Sequence, residues 1–77
     1  MIIHVQLYSI LREKLPSEAR GKTILQLEDG ATLSDVLEEF GINRRVVIGV
    51  NGVHEPDRSR ALHDQDEIKI FSSVSGG

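Results

Sequence analysis

The sequence predicts a small α+β domain in which one mixed sheet, of roughly four to five strands, is covered by a single long helix. Three observations lead to this prediction: strand-like apolar runs at both ends of the chain, one amphipathic helical stripe in its middle, and strong turn signals between them. The 77 residues allow only one domain. We place that domain at residues 1–71 and predict a flexible tail at residues 72–77.

The first part of the chain is predicted to form a strand and a short helix. Apolar and polar residues alternate over residues 2–8, which indicates a strand. Its buried face would carry Ile3, Val5 and Leu7. Leu11 and Leu15 then stand four positions apart, the spacing of one helix face, and Pro16 should end that helix. The polar residues 17–22 are predicted to form a loop.

The long helix is the clearest element. Before it, residues 23–28 predict a strand that ends at the turn Asp29-Gly30. Thr32 is a good N-cap, and Asp35 lies in the first turn, where a carboxylate favours the helix dipole. Gly41 suits the position just after the last helical residue. The apolar stripe of the helix consists of Leu33, Val36, Leu37 and Phe40.

The second half of the chain returns to strands. The apolar run Val46–Val50 predicts an interior strand. Asn51-Gly52 is a strong hairpin signal, so residues 53–55 should turn back beside that strand. The last strand is predicted at residues 67–71, with Phe71 facing outward. In this order of elements, the strands at the two ends of the chain can pair side by side in the centre of the sheet.

The composition excludes several classes of site. The chain has no cysteine, which excludes disulfides, zinc-thiolate sites and thiol nucleophiles. Its net charge of −3 argues against nucleic acid binding, which favours clustered Lys and Arg. The basic pairs Arg44-Arg45 and Arg58/Arg60 are interpreted as solvated loop positions. The histidines show no ligand spacing, so we predict no metal site at His4, His54 or His63.

The beginning of the chain alternates apolar and polar residues and lacks a cationic leader, so we expect no signal peptide. No apolar run approaches the length of about 20 residues that spans a bilayer. We therefore expect a protein of the cytoplasm that does not act at a membrane.

The tail Ser72-Ser73-Val74-Ser75-Gly76-Gly77 has no charged side chain and ends on two glycines. A domain gains little by ending this way, because glycine loses more backbone entropy on ordering than any other residue. A terminal carboxylate is ionised at neutral pH and must be activated before it reacts, for instance as a mixed anhydride with AMP. Two glycines can also thread a narrow slot in a partner. From the tail alone, a reactive Gly77 and an ordinary frayed end or cloning remnant remain equally open.

The order of the elements resembles that of the ubiquitin-like β-grasp sulfur carriers. The residues that carry this resemblance are the run from Leu25 to Leu33, the hairpin Val50-Asn51-Gly52, and the stretch from Leu62 to Phe71 that runs on to Gly76-Gly77. The resemblance covers essentially the whole chain. It implies the β-grasp fold, with the helix packed across a mixed sheet.

Within that superfamily, the chain most resembles the small subunit of molybdopterin synthase. A helix such as the one predicted at residues 9–15, between the first two strands, is characteristic of that branch. The thiamine-pathway sulfur carriers usually have a tight hairpin there. The chain departs from the branch at Ser72-Ser73, where prolines are common, so its tail is expected to be less stiff.

The resemblance implies a carrier without catalytic activity of its own. An adenylyltransferase similar to the ubiquitin-activating enzymes would use ATP and magnesium to adenylate Gly77, and a sulfurtransferase would convert the adenylate to a thiocarboxylate. The tail would then deliver sulfur to cyclic pyranopterin monophosphate within the large subunit of molybdopterin synthase, in a heterotetramer. No bound cofactor is expected on the carrier itself.

Gly76 and Gly77 are therefore the predicted reactive site, and Phe71, Val74, Ser75 and Gly49 are the predicted partner-binding residues. Phe71 faces outward by alternation, and large exposed apolar residues near a tail can anchor a partner. Gly49 lies inside a strand, where glycine is unfavourable; a close partner or a β-bulge explains it equally well. Three other functions stay open: a thiamine-pathway carrier, a ubiquitin-like modifier joined to lysines through Gly77, and an interaction module with an inert tail.

Overall fold

The computed structural model describes residues 1–72. Within them, a five-stranded mixed sheet has the order β2-β1-β5-β3-β4, and one α-helix packs across it. The strands are β1 (Ile2–Leu7), β2 (Lys22–Gln26), β3 (Val46–Val50), β4 (Val53–His54) and β5 (Glu67–Ser72). The helical elements are two 3-10 helices, Ser9–Lys14 and Ser17–Ala19, and the α-helix α1 (Leu33–Glu39). The predicted α+β class and the predicted helix-on-sheet arrangement are confirmed.

The strands from the two ends of the chain are neighbours at the centre of the sheet. β1 and β5 pair in parallel, with His4 opposite Glu67 and Leu7 opposite Ile70. β2 lies antiparallel on the far side of β1, and β3 lies antiparallel on the far side of β5. The predicted pairing of the end strands is therefore confirmed, and β5 has a hydrogen-bonded neighbour on each side.

One face of the sheet is covered and supplies the core. The buried residues of β1, β3 and β5 meet the apolar stripe of α1, in agreement with the predicted alternation. Asp35 caps the helix as half of a capping box, because its carboxylate accepts the backbone N–H of Thr32 at 2.8 Å. The core side chains are Ile3, Val5, Leu7, Leu11, Leu33, Val36, Leu37, Ile42, Val46, Ile48, Val50, Leu62, Ile68 and Ile70.

The element bounds differ from the prediction in several places: β1 ends at Leu7, β2 spans Lys22–Gln26, and three further differences concern the 3-10 helices and β5. The predicted helix at residues 9–15 is a 3-10 helix, since only Leu11 is buried and the N–H of Leu15 reaches back three residues to the carbonyl of Arg12. The predicted loop at residues 17–22 contains the second 3-10 helix. β5 extends through Ser72, because Ser72 pairs with Val46, so this first residue of the predicted tail belongs to the sheet.

The hairpin between β3 and β4 forms as predicted. Asn51 and Gly52 have φ values of 51° and 85°, the left-handed conformation that a type I′ turn requires at both central positions. No helix in residues 1–72 combines the length and apolar character needed to cross a bilayer.

A buried carboxylate fastens this hairpin to the start of β5. Asp66 is only 6% exposed. Its Oδ1 accepts from Nδ2 of Asn51 and its Oδ2 accepts from the N–H of His63, both at 2.9 Å. Asn51 in turn accepts the N–H of Glu67 at 2.9 Å and donates its own N–H to the carbonyl of Glu67 at 2.8 Å. The buried charge of Asp66 is tolerated because both carboxylate oxygens accept hydrogen bonds.

The pKa of Asp66 should make the fold acid-sensitive. Burial alone would raise this pKa, but the hydrogen bonds from His63 and Asn51, with the nearby charge of Arg60, hold it below the usual value. A carboxyl group with a lowered folded-state pKa stabilises the fold above its unfolded pKa of about 3.9, and this contribution is lost as the pH falls through the folded value.

We therefore expect Asp66→Asn to lower the free energy of unfolding at neutral pH by about 1–3 kcal/mol, because one acceptor of a buried network becomes a donor. The loss should begin to shrink as the pH falls below about 4, where the unfolded carboxyl group is protonated, and should shrink further as the pH passes through the lowered folded-state pKa. Urea unfolding at several pH values measures both effects. Asp29→Asn, an exposed turn residue, is the control. Equal stability of wild type and Asp66→Asn at neutral pH would contradict this account.

Candidate functional site

The site is organised around the point at which the chain leaves the sheet. β5 is paired through its last residue, with Ser72 opposite Val46 in β3. On the other side, the N–H of Tyr8 donates to the carbonyl of Ile70 at 3.1 Å. Both neighbours thus hold the end of β5, so that the exit from the sheet has a fixed position. The predicted site residues Val74, Ser75, Gly76 and Gly77 lie outside the described residues.

Phe71 lies on the open face of the sheet at this exit and is 38% exposed, as its outward alternation predicts. Its ring stacks on that of Tyr8, with centroids 4.2 Å apart and an angle of 14° between the planes. Val47, opposite Phe71 in β3, is 39% exposed. We call Tyr8, Val47 and Phe71 the exit patch. Phe71 therefore makes a contact within its own sheet and still presents apolar surface to solvent.

Gly49 lies farther along the same open face. It pairs with Lys69 in β5 and His54 in β4, and the register through β3 advances one residue at a time. β3 therefore has no bulge here, which removes one of the two explanations for a glycine inside this strand. A Cβ at Gly49 would meet only the carbonyl oxygen of Val53, at 3.8 Å, which is an ordinary contact. Nothing in the described fold requires glycine at this position.

The rest of the open face combines polar side chains with the exposed Ile24. A shallow depression of about 750 Å³ runs over β1, β2 and the start of β5. At its edge, Nε2 of His4 lies 2.9 Å from Oε1 of Gln65, and Ile24 is 60% exposed. Next to it, Asp64 accepts the N–H of Ile2 at 2.6 Å, and this hydrogen bond lowers the pKa of Asp64. These polar contacts close the turn before β5.

The predicted site residues thus fall into two groups. Phe71 and Gly49 share the open face of the sheet, whereas the four tail residues lie outside the described residues. Among residues 1–72, no three His, Cys, Asp or Glu side chains come close enough together to hold a metal ion. His4, His54 and His63 lie on separate elements.

Sequence reasoning missed Tyr8 and Val47. The signal for Tyr8 was the parallel pairing of the end strands: once Leu7 lies opposite Ile70, the next position in each strand brings Tyr8 to Phe71. Val47 was read as part of a continuous apolar run, which hides the fact that one side of β3 is open to solvent. Knowing which face the helix covers was necessary to find both.

Comparison with known families decides the relationship. The family model described as the ThiS family matches residues 5–77, which is nearly the whole chain. The chain belongs to the ThiS family. The resemblance to the ubiquitin-like β-grasp sulfur carriers, inferred from the helix approach, the hairpin and the last strand, is thereby confirmed.

The proteins that resemble this ThiS-family chain include a sulfur carrier and a modifier protein. It is 28% identical over 53 residues to the sulfur carrier protein TtuB of Thermus thermophilus, a match that spans 69% of this chain and 82% of TtuB. It resembles small archaeal modifier protein 1 of Haloferax volcanii at 17% identity and a TM-score of 0.75, with 95% of this chain and 98% of that protein covered.

A third similar structure is a chain in the complex of subunits 1 and 2 of the molybdopterin-converting factor from Helicobacter pylori. The TM-score is 0.63 and the identity is 20%, with 100% of both chains covered. At this level of identity, these two structures establish that the ThiS-family chain has the β-grasp fold.

We expect Gly49→Ala to leave this ThiS-family fold as stable as the wild type or slightly more stable. Glycine inside a strand costs roughly 0.5–1 kcal/mol relative to alanine, and the described fold leaves room for the added methyl group. Thermal unfolding measures the difference. Gly21→Ala is the contrasting variant: Gly21 has a φ of +80°, and a Cβ there would collide with the carbonyl oxygen of Leu7. Clear destabilisation by Gly49→Ala would mean that the fold itself requires the glycine.

Proposed function

We propose that the protein is a sulfur carrier whose Gly77 carboxylate is adenylated, converted to a thiocarboxylate, and used to donate sulfur in the synthesis of molybdopterin. The observation that carries this proposal is the ThiS-family match, which continues through residue 77 on a fold whose last strand is fixed up to Ser72. The chain has no cysteine, so a side-chain thiol cannot carry the sulfur.

In the first step, a carboxylate oxygen of Gly77 attacks the α-phosphorus of ATP, and pyrophosphate leaves. The product is an acyl adenylate, an activated carboxyl group with AMP as its leaving group. An adenylyltransferase with bound magnesium supplies this chemistry, because the triphosphate must be held in line and its charge neutralised. This chain contributes the acceptor carboxylate.

In the second step, hydrosulfide sulfur delivered by a sulfurtransferase attacks the acyl carbon. AMP leaves with the oxygen that joined it to the carbonyl, a proton is released, and Gly77 becomes a thiocarboxylate. In the third step, the thiocarboxylate sulfur attacks the carbon of cyclic pyranopterin monophosphate that is to be sulfurated. A carbon–oxygen bond at that carbon breaks as the carbon–sulfur bond forms, and the departing oxygen keeps the bonding electron pair and takes up a proton. Hydrolysis of the resulting acyl–sulfur bond leaves the sulfur on the substrate and returns the Gly77 carboxylate.

The fold suits a carrier of this kind. Residues beyond Ser72 can span at most about 18 Å when fully extended, at ~3.3–3.6 Å per residue. That length allows the terminal carboxyl group to enter a partner's active site while the sheet stays outside. The exit patch lies beside the starting point of this segment, so a partner that holds the tail would also cover Tyr8, Val47 and Phe71.

The proposal that the large subunit of molybdopterin synthase is a partner is supported by the likeness to a chain in the Helicobacter pylori complex of subunits 1 and 2. An exposed apolar patch next to a reactive terminus is a suitable docking surface for such a subunit. Gly49 supports docking of a partner on the same face, since the described fold gives no reason for a missing side chain there.

A second candidate function is a protein modifier that is joined to lysines through Gly77. The likeness to small archaeal modifier protein 1 favours it. A sulfur carrier for a different acceptor, such as the thiamine pathway, is a third. The carrier and the modifier share the adenylation step and differ in the nucleophile that displaces AMP, which is sulfur in one case and a lysine amine in the other.

Deletion of Gly77 should abolish the formation of the thiocarboxylate and leave the melting temperature unchanged, because the core residues lie between Ile3 and Ile70. Intact-mass spectrometry of wild-type and truncated protein, each isolated from the source cell, measures the first effect. The wild type should be heavier than its sequence mass by the difference between a sulfur atom and an oxygen atom. Conjugates of high mass that survive reduction, with no such increase, would favour the modifier instead.

Phe71→Ala should weaken binding to the large synthase subunit by roughly tenfold or more, as expected for an aromatic residue at the centre of a docking surface. Its folding stability should fall by only about 0.5–1.5 kcal/mol, the contribution of one aromatic pair. Ile24→Ala is the matched control, because Ile24 is exposed on the same face but lies in the edge strand β2. Calorimetric titration compares the affinities; equal affinities for wild type and Phe71→Ala would remove Phe71 from the interface.

A further inference from the structure

The charges of this chain are divided between its two ends. Because β1 and β5 run one way and β2 and β3 the other, the segments after β1 and β5 lie at the same end as those before β2 and β3. We call this the exit end. Of the nine Lys and Arg residues, six lie in or directly next to these segments, which also carry Glu13 and Glu18; the six are Arg12, Lys14, Arg20, Lys22, Arg44 and Arg45. The opposite end carries Glu28, Asp29, Asp64, Asp66 and Glu67.

A groove crosses the exit end. It has a volume of about 410 Å³ and lies between the first 3-10 helix and residues 41–44. These two segments adjoin β1 and β3, the two neighbours of β5, so the groove lies at the end of the sheet where β5 stops. We call it the exit groove. Its walls combine apolar side chains with two cations and one carboxylate, namely Ile10, Leu11, Ile42, Lys14, Arg44 and Glu13, so that positive charge is in excess.

The cations of the exit groove are free to bind. The ion pairs found within residues 1–72 are Arg60–Glu55 and His63–Asp66, both away from this end. Lys14 makes only a long hydrogen bond, of 3.5 Å, to the carbonyl oxygen of Gly41. Arg44 and Arg45 are exposed, and Ile10 is 51% exposed beside them. The groove thus offers unneutralised positive charge next to accessible apolar surface.

We propose that the exit groove binds an acidic segment of the adenylyltransferase that loads the tail, with carboxylates against Lys14 and Arg44 and an apolar side chain against Ile10. This inference rests on the proposed function for the identity of the partner. Charge complementarity carries it: although the net charge of the chain is −3, the segments at the exit end hold six cations against Glu13 and Glu18. An acidic partner surface would repel the opposite end and attract this one, and so turn the tail toward it.

The apolar walls favour a protein segment over a nucleic acid. Leu11 and Ile42 are buried beneath the groove, and Ile10 borders it. A phosphate backbone offers no apolar group to such a surface, and the net negative charge of the chain opposes binding to a polyanion. A peptide that alternates acidic and apolar residues can satisfy both kinds of wall at once.

The direct test titrates the full-length protein, labelled with ¹⁵N, with a synthetic hexapeptide that alternates leucine and glutamate, at low salt. Backbone amide shifts should be largest in residues 9–14 and 41–46. Arg44→Glu should lower the affinity for the peptide about tenfold, and Arg58→Glu should change this affinity by no more than about twofold. Arg58 is the matched control because it is an exposed arginine at the other end, with the same change in net charge.

Shifts elsewhere on the surface, or equal effects of the two substitutions, would overturn the proposal. Tighter binding of a single-stranded oligonucleotide than of the peptide at the same groove would also overturn it, in favour of nucleic acid. The titration uses neither ATP nor sulfur, so it can succeed where thiocarboxylate formation fails, and the two outcomes remain distinguishable.

A second measurement places the groove in the loading reaction. The adenylation rate, followed by pyrophosphate release with the cognate adenylyltransferase, should show a KM about tenfold higher for Arg44→Glu than for Arg58→Glu, with kcat nearly equal. Added salt should raise the wild-type KM and narrow the difference between the variants, because screening weakens steering. A KM that is the same for both variants, at low salt, would contradict the proposed docking.

Discussion

The parallel pairing of β1 with β5 is the constraint on which the rest of the structure depends. It joins the first and last strands of the domain at the centre of the sheet, so that the pair cannot form until the chain between them has been brought together. Its inner face supplies fully buried side chains, among them Ile3, Leu7 and Ile70, against which α1 packs. The outer strands then add to edges that this pair has already defined. Fold stability and the position of the chain's exit therefore have the same origin.

The same pairing explains how only a few residues define the point at which the chain leaves the sheet. The end of β5 is held by Val46 on one side and by Tyr8 on the other, which are carried by elements far apart in sequence. Their neighbours, Val47 and the ring of Tyr8, form an apolar surface with Phe71, and Arg44 lies two residues before Val46. The register of three strands thus places the exit patch at the exit, and the segments that adjoin β1 and β3 place the exit groove beside it.

Much of this could be read from the sequence, because it depends on local rules. Asn51-Gly52 fixes its hairpin through positive φ values, and the stripe of α1 fixes the face that the helix buries. Local rules failed at residues 9–15, where leucine spacing suggested a full helix; with one residue buried, the segment tightens into a 3-10 turn. They also missed the Tyr8–Phe71 stack and the buried bonds of Asp66, since both join segments whose register no local pattern specifies. The grouping of the cations at one end is a property of topology, not of composition.

The two ends of the molecule also differ in how they use charge. At the end opposite the exit, Asp66 is buried and its oxygens are satisfied by His63 and Asn51, so its charge serves to join the hairpin to β5. At the exit end, Lys14 and Arg44 have no such partners within the described residues and border an open groove. A satisfied buried charge fixes a structure, whereas an exposed charge is hydrated by solvent and stays available to a partner. Selection for folding accounts for the first arrangement; the second contributes nothing to the core and is explained by a partner that approaches where β5 ends.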